Sequence, residues 1–230
     1  MTAKIHPNVA VPPSLGQQPP VVAPAPAPAP ADEEPVTLTV WRKSLLFNGR
    51  GFTVFDARGD LVYRVDSYAS DSRAEVVLMD AAGCPVLTLR RCRKLIGLGL
   101  GSDQWLVYPG DDTRRLPPLY AVKRAAQYMR GGGGGGGAKS MAHVAACSGG
   151  AAAKTGAGGY EVEGSYLRRR CTVYDERWRA VAEVLPKEAV GSDVFRLVVQ
   201  PGMEVSLAMA VVLALDQMFG KPSLLRSWSS

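Results

Sequence analysis

The stretch VSLAMAVVLALDQMF, residues 205–219, decides the fold. Its first eleven residues are apolar except for the small Ser206, so a helix built from them is hydrophobic on every face. Such a helix either spans a membrane or lies buried in a protein core. Eleven residues cover about 16 Å at about 1.5 Å each, whereas the hydrocarbon core of a bilayer is about 30 Å thick. The stretch therefore predicts a buried core helix and no transmembrane span.

The flanks of this stretch carry start and stop signals for a helix. Gly202 precedes it, and Gly220 and then Pro222 follow it. Glu204 lies near the amino end, where its charge complements the helix dipole. Asp216 ends the apolar run.

A turn signature occurs three times earlier in the chain, at residues 56–59, 80–83 and 175–178. Each copy has an apolar run, an Asp that can accept backbone amide hydrogens, usually a Gly able to adopt positive φ, and a second apolar run. This pattern is typical of β-hairpins. In the third copy Trp178 replaces the Gly, from which we predict that this turn differs in detail.

Further strand-like runs fill the remaining sequence at residues 37–41, 104–108, 119–123, 160–165 and 194–200. Together with the hairpins they give about a dozen strands, at the spacing expected of an antiparallel barrel or sandwich. No strand–helix–strand rhythm occurs, which argues against a parallel sheet. The sequence thus predicts a mainly β fold, and an antiparallel β-barrel enclosing its own C-terminal helix accounts for both features.

Proline and glycine are concentrated in two segments. Residues 1–35 hold 10 of the 17 prolines, and residues 131–159 hold 12 of the 25 glycines. We predict a disordered Pro/Ala-rich tail over 1–35, which is either a plain tail or a ligand for a protein partner. One domain follows over 36–225, with 131–159 as a Gly-rich disordered loop insert and 226–230 as a short tail.

Several classes of chemistry are excluded by composition. His6 and His143 both lie in the segments set aside, so the predicted core has no histidine for a catalytic triad or a metal site. The four cysteines form no CxxC pair and no metal-ligand spacing, and they are expected to be reduced thiols. We therefore predict no catalytic residues, no metal and no cofactor. No apolar segment of signal-peptide type follows Met1, which favours a cytoplasmic or nuclear location over secretion.

Basic residues supply the whole net charge of +6, because the core holds 24 Lys and Arg against 18 Asp and Glu. One interpretation of these basic residues is that they form part of the solvent-exposed exterior of the barrel. The other is attraction to anionic phosphates of lipid headgroups or nucleic acid, of which nucleic acid is disfavoured because no aromatic platform accompanies the clusters. A further pair of arginines lies at 114–115. The candidate lipid-binding residues are Arg90, Arg91, Arg93, Lys94, Arg168, Arg169 and Arg170.

Strand alternation refines the second cluster. If Leu167, Cys171 and Val173 point inward, Arg168 and Arg170 point outward. Arg169, which lies between them, then points inward like Cys171, so a charged side chain there requires a position at the barrel rim or at a bulge.

Several motifs resemble the plant LURP-one-related (LOR) family in the same order along the chain. They cover about residues 36–220, interrupted by the glycine-rich insert. The motifs are residues 40–43 (VWRK), 52–56 (FTVFD), 76–83 (VVLMDAAG), 160–166 (YEVEGSY), 193–202 (DVFRLVVQPG) and 213–219 (LALDQMF).

This resemblance implies a tubby-like fold, which is a twelve-stranded barrel enclosing a central hydrophobic helix. It also implies a non-enzymatic role in plant defence-related signalling, since founding members of that family are linked to basal defence. Structural relatives include phosphoinositide-binding tubby proteins and phospholipid scramblases. The basic clusters add the subordinate hypothesis that the barrel, a monomer by default, reversibly binds anionic membrane phospholipid. The alternatives are a nuclear or transcription-linked interaction module that recruits a protein partner through the Pro-rich tail, and an uncharacterised enzyme.

Overall fold

The structure is a computed structural model, and it describes residues 34–43, 45, 50–67, 75–93, 103–125, 140–147, 158–187 and 191–220. The predictions for residues 1–33, Lys94 and 226–230 lie outside these ranges.

The described residues form a closed antiparallel barrel, which confirms the predicted fold class. Strand β1 pairs with both β2 and β12, and every other strand pairs with its neighbours in the sequence. The strands are β1 Val36–Trp41, β2 Arg50–Phe55, β3 Leu61–Ser67, β4 Glu75–Asp80, β5 Pro85–Arg93, β6 Asp103–Pro109, β7 Tyr120–Arg124, β8 Ser140–Ala146, β9 Tyr160–Ser165, β10 Arg170–Tyr174, β11 Ala180–Pro186 and β12 Val194–Val199.

Helix α1, Val205–Phe219, begins and ends at the predicted residues. Residues 206–216 are all buried, because the inward side chains of the strands surround this helix in one hydrophobic core. The buried Ser206 hydroxyl donates a hydrogen bond to the Glu204 carboxylate, which satisfies the polar group of the apolar run. Within the described ranges, we find no helix whose length and apolar character would allow it to cross a bilayer.

The barrel has two distinct ends, which are set by the antiparallel order. All odd-numbered strands end where the even-numbered strands begin, and α1 also ends there. At this end the Tyr166 hydroxyl, just after β9, donates to Asp216 of α1. Arg124, the last residue of β7, donates to the carbonyl oxygen of Met218 and lies over the Phe219 ring. We call this the Asp216 end and the other, which carries the Asp-centred hairpin turns, the turn end.

The Asp-centred turns form as predicted. Asp56 Oδ1 accepts the backbone amides of Arg58 and Asp60, both at 2.9 Å. Asp175 Oδ1 does the same for Arg177 and Arg179, again at 2.9 Å. Each carboxylate therefore ties down the chain as it leaves the turn.

The prediction that the Trp178 turn differs from the others is wrong. Trp178 adopts a left-handed φ of 57°, in the same region as Gly59 with φ of 91°. Its amide donates to the Asp175 carbonyl oxygen at 2.9 Å, as that of Gly59 does to Asp56 at 3.2 Å. Trp178 thus takes a conformation that glycine normally takes. Two interactions hold it there: the hydrogen bonds that neighbouring amides of the turn donate to the Asp175 carboxylate, and the packing of its ring on that of Tyr174, with ring centroids 5.5 Å apart.

The prediction of a disordered insert over 131–159 is wrong for strand β8. This strand pairs with β7 on one side and β9 on the other, and Met141, Ala142 and Val144 are buried in the core. Its small residues gave no strand signal, but the barrel cannot close without a strand between β7 and β9. His143 consequently belongs to the barrel wall, so the exclusion of histidine from the folded core is also corrected. Residues 131–139 and 148–157 lie outside the described ranges.

Candidate functional site

The arginine run 168–170 lies at a corner of the Asp216 end. A 3-10 helix, Tyr166–Arg168, leads from β9 into β10. Gly164 has a φ of 107°, and a Cβ atom there would lie 2.2 Å from the carbonyl oxygen of Arg170, so only glycine fits this corner. Arg169 follows in the left-handed region with a φ of 54°.

The predicted orientation of these arginines is confirmed, and one neighbour is corrected. Arg168 and Arg170 are exposed, whereas Arg169 is buried at the rim. Cys171 is buried as expected, but Leu167 is exposed. The prediction of an inward Leu167 is wrong because the 3-10 helix interrupts the strand alternation on which it was based.

Arg169 has an unusual environment for a charged residue, since only 6% of its surface is exposed. The guanidinium carbon lies 4.3 Å from the ring centroid of Tyr166 and 4.4 Å from that of Phe195. Its Nε donates to the carbonyl oxygen of Ser192 at 3.0 Å. Its Nη1 is buried and has no hydrogen-bond partner among the described residues. The side chain is thus fixed by two aromatic rings and one hydrogen bond.

A buried ion pair lies beside Arg169. Asp216 Oδ1 accepts the Tyr166 hydroxyl at 3.1 Å and lies 3.0 Å from Arg42 Nε. Arg42 also lies 4.0 Å from the half-exposed carboxylate of Asp193. We refer to Arg42, Tyr166, Arg169 and Asp216 as the helix-end cluster, since they connect the barrel wall to the carboxyl end of α1.

The electrostatics of the helix-end cluster are dominated by burial. Burial raises the pKa of Asp216 above its ordinary value of 3.8, although Arg42, Tyr166 and Arg169 each act to lower it. Burial, together with the nearby Asp216 charge, raises the pKa of the Tyr166 hydroxyl well above its ordinary value of 10.0. Tyr166 therefore stays a neutral hydrogen-bond donor over the whole physiological range.

The raised pKa of Asp216 predicts a specific pH dependence of stability. Between 3.8 and its raised pKa, the folded protein retains a proton that the unfolded chain has released, so the contribution of Asp216 to stability falls as pH rises through this window. Asp216→Asn removes this titration. We expect the stability of the wild type relative to that variant to decrease as pH rises from about 4. Urea unfolding of both proteins across this range measures the difference, and a constant or growing advantage of the wild type would contradict the assignment.

The first candidate cluster lies at the same end of the barrel. Arg90 is exposed on β5 and pairs in register with Glu75, the first residue of β4. Arg91 is partly buried beside it, and Arg93 ends the strand. The side chain of Arg93 and the whole of Lys94 lie outside the described part of the chain. Because β5 and β10 are five places apart in the twelve-strand order, the two clusters occupy nearly opposite sides of one rim.

The arginines of the turn end are arranged differently. Arg58 lies 3.3 Å from Asp56, Arg179 lies 2.7 Å from Asp175, and Arg115 lies 3.9 Å from Asp112. In contrast, Arg168, Arg170 and Lys187 form no ion pair within the described ranges, although all three are exposed at the Asp216 end. Arg114 and Arg177 at the turn end also form no ion pair in these ranges, but the exposed acidic residues Asp111 and Glu176 accompany them, whereas residues 165–170 at the Asp216 end contain no acidic residue. The two ends therefore differ in their balance of positive and negative charge.

Strand β8 brings together three polar side chains on the outer wall. Ser140 Oγ donates to Glu161 Oε2 at 2.6 Å, and His143 Nδ1 lies 2.5 Å from Glu161 Oε1. Glu161 thus lies between the serine and the histidine, whereas a catalytic triad places the imidazole next to the nucleophile. Sequence analysis missed this group because it assigned β8 to the insert.

The four cysteines all lie in the described ranges, and none forms a disulfide. Cys171 is buried, and burial raises the pKa of its thiol to about 12. It is therefore a protonated thiol at neutral pH. No group of three or more His, Cys, Asp or Glu side chains that could hold a metal ion occurs in the described residues.

The helix-end cluster was also missed, except for Arg169. Its members come from β9–β10, from the residue after β1 and from the end of α1, so only the folded topology brings them together. One signal was available in the sequence. Asp216 follows eleven residues of a fully buried helix, and an ionised residue in that position needs a partner.

The closed barrel around a C-terminal helix is a tubby-like fold, as the sequence motifs implied. The chain is similar to an Arabidopsis thaliana protein solved by X-ray crystallography, with 25% identity and a TM-score of 0.56 over 80% of this chain and 91% of that one. A profile of the family described as LURP-one-related matches residues 36–216. The chain belongs to this LURP-one-related (LOR) family.

Curated relatives in Arabidopsis thaliana extend over most of the chain. Protein LURP-one-related 8 is 43% identical over 192 residues, which are 80% of this chain and 87% of the relative. Protein LURP-one-related 17 is 40% identical over 80% of this chain and 83% of its own length. Protein LURP-one-related 5 is 38% identical over 81% of this chain and 85% of its own length.

Proposed function

We propose that this protein is a non-enzymatic binding domain that docks reversibly on anionic membrane phospholipid through the Asp216 end. Membership of the LOR family supports a place for it in plant defence-related signalling, inside the cell and at the membrane periphery. The single observation that carries the proposal is the difference in charge balance between the two ends of the barrel, since Arg168 and Arg170 at the Asp216 end lack the acidic neighbours found at the turn end.

The charge at the Asp216 end is available to a membrane. Arg168, Arg170 and Lys187 are exposed there without an ion pair in the described ranges, whereas Arg58, Arg115 and Arg179 at the turn end are paired with the Asp residues that shape the turns. Each Lys or Arg close to an anionic surface contributes about 1 kcal/mol to binding, and salt screens this attraction. Three to five such residues give weak, reversible and salt-sensitive attachment.

Exposed apolar side chains at the same end add to this argument. Trp41 ends β1 and Leu167 follows β9, and both are exposed. Lys43 Nζ lies 5.1 Å from the centroid of the Trp41 ring. Tryptophan and leucine beside basic residues are typical of surfaces that insert shallowly among lipid headgroups.

Vesicle flotation tests the proposal. We expect the full chain to float with phosphatidylcholine vesicles containing phosphatidylserine at low salt, and more weakly at physiological salt. The double variant Arg168→Glu, Arg170→Glu should lose at least tenfold in vesicle affinity, since two attractive charges become repulsive at the contacting end.

The matched control reverses two exposed arginines at the other end, Arg114→Glu and Arg115→Glu, which changes net charge equally. It should bind within about twofold of the wild type. Absence of binding at both salt concentrations contradicts the proposal, and equal losses in the two variants would mean that net charge alone governs binding.

The alternative, a nuclear or transcription-linked interaction module, places partner recognition in the Pro-rich tail. Deletion of residues 1–35 distinguishes the two functions. Lipid docking through the barrel predicts unchanged flotation, whereas the alternative predicts loss of captured protein partners with no lipid binding in either form.

A further inference from the structure

We propose that Arg169, together with the cavity beside it, forms a binding site for a phosphate group, carried either by a lipid headgroup or by a soluble phosphate ester. This inference rests on the proposed function, because it names the chemical group that the Asp216 end recognises.

The first observation is an unused donor on a fixed guanidinium. The Tyr166 and Phe195 rings and the bond to Ser192 hold Arg169 in place, and its buried Nη1 donates to no acceptor in the described residues. A buried charged donor without a partner is strongly unfavourable, so such groups are normally paired or serve a ligand. Arginine presents a planar fork of donors that matches phosphate oxygens.

The second observation is a cavity at this position, whose mainly apolar wall includes three basic residues. Its volume is about 260 Å³, slightly below the range of about 300–1,000 Å³ typical of sites for drug-sized ligands. Arg168, Arg169 and Lys187 supply three positive charges to its wall. Leu167 and Val194 supply apolar surface, which would pack against the ester side of a bound phosphate.

The third observation is the charge balance of the helix-end cluster. Asp216 already accepts the Tyr166 hydroxyl and pairs with Arg42, and the half-exposed Asp193 also faces Arg42. The cavity lining itself contains no carboxylate among its described residues. Arg168 and Lys187 form no ion pair in the described ranges and carry two positive charges, and a phosphate monoester carries about −1.5 to −2 charges near neutral pH.

Titration of the full chain with inorganic phosphate and with sn-glycerol 3-phosphate, followed by phosphorus-31 NMR, tests the site. We expect saturable binding by the wild type. The variant Arg168→Met, Lys187→Met should weaken binding at least tenfold without altering the fold, because both residues are exposed. Arg169→Lys keeps the charge but removes the fork, and we expect a similar loss.

The matched control is Arg196→Met on β12, which removes an exposed positive charge that does not line the cavity. It should bind within about twofold of the wild type. No saturable binding by the wild type, or an equal loss in Arg196→Met and in the Arg168→Met, Lys187→Met variant, overturns the proposal. If Arg169→Lys fails to fold, the comparison of these other two variants still decides the question.

Vesicles identify the source of the phosphate. If the wild type prefers phosphatidic acid over phosphatidylserine and the Arg168→Met, Lys187→Met variant does not, the site binds a lipid headgroup. If soluble phosphate binds without this preference, the site binds a soluble ester. If the protein binds vesicles but neither binds soluble phosphate nor prefers phosphatidic acid, the phosphate site is wrong and the proposed function stands. Soluble phosphate binding without any vesicle binding overturns the proposed function and leaves the site intact.

Discussion

Replacement of Val212 by Asp is expected to abolish the folded barrel. Val212 is 1% exposed and lies near the middle of α1, where strands surround the helix. An ionised carboxylate there has no polar partner within the apolar run, and its burial costs several kcal/mol, which is comparable to the total stability of about 5–15 kcal/mol for a domain. Soluble yield and circular dichroism during heating measure the effect.

Gln217→Asp is the control for this variant. It introduces the same side chain in the same helix at an exposed position, so it should give soluble protein with a cooperative unfolding transition. A soluble Val212→Asp variant that unfolds cooperatively near the wild-type temperature would contradict the central position of the helix.

Replacement of Asp216 by Ala is expected to reduce the free energy of unfolding by about 3 kcal/mol at neutral pH. The variant loses hydrogen bonds to Tyr166 and Arg42, and bonds to a charged group contribute about 1.5–3 kcal/mol each. It also leaves the Arg42 and Arg169 charges without their buried counterion. Urea unfolding monitored by fluorescence measures the loss.

Asp193→Ala is the control for this second prediction. It removes the other carboxylate facing Arg42, but the Asp193 side chain is half-exposed and its oxygen lies 4.0 Å from Arg42. A pair of this kind contributes about 0–1 kcal/mol. Equal losses in the two variants would contradict the view that Asp216 organises the end of the helix.

The elements that sequence analysis predicted correctly depend on local signals. The helix bounds follow from an apolar run that ends at flanking glycines, and the hairpins follow from Asp carboxylates that bond to amides within their own turns. Strand alternation correctly predicted that Arg169 is buried at the rim, although Arg169 itself lies in the cap of the 3-10 helix and not in a strand. These signals operate over a few residues and survive in the isolated sequence.

The errors concern features that depend on tertiary context. Strand β8 has the composition of a flexible segment and becomes a strand because β7 and β9 require a partner. Trp178 takes a glycine conformation because Asp175 and Tyr174 hold it there. The helix-end cluster joins side chains more than one hundred residues apart, such as Arg42 and Asp216, which no spacing rule connects.

The orientation of the barrel on a membrane can be measured directly, because two native tryptophans lie at its opposite ends. Trp41 lies at the Asp216 end and is 40% exposed, whereas Trp178 lies at the turn end and is 62% exposed. Fluorescence of the wild type is compared with that of Trp41→Phe and Trp178→Phe variants on phosphatidylserine vesicles with brominated acyl chains. Because Trp105 and Trp228 are common to all three proteins, each difference gives the contribution of the replaced tryptophan. We expect Trp41 to be quenched by the lipid and Trp178 to remain accessible to aqueous iodide. Lipid quenching of Trp178, with Trp41 left accessible to iodide, would contradict docking through the Asp216 end.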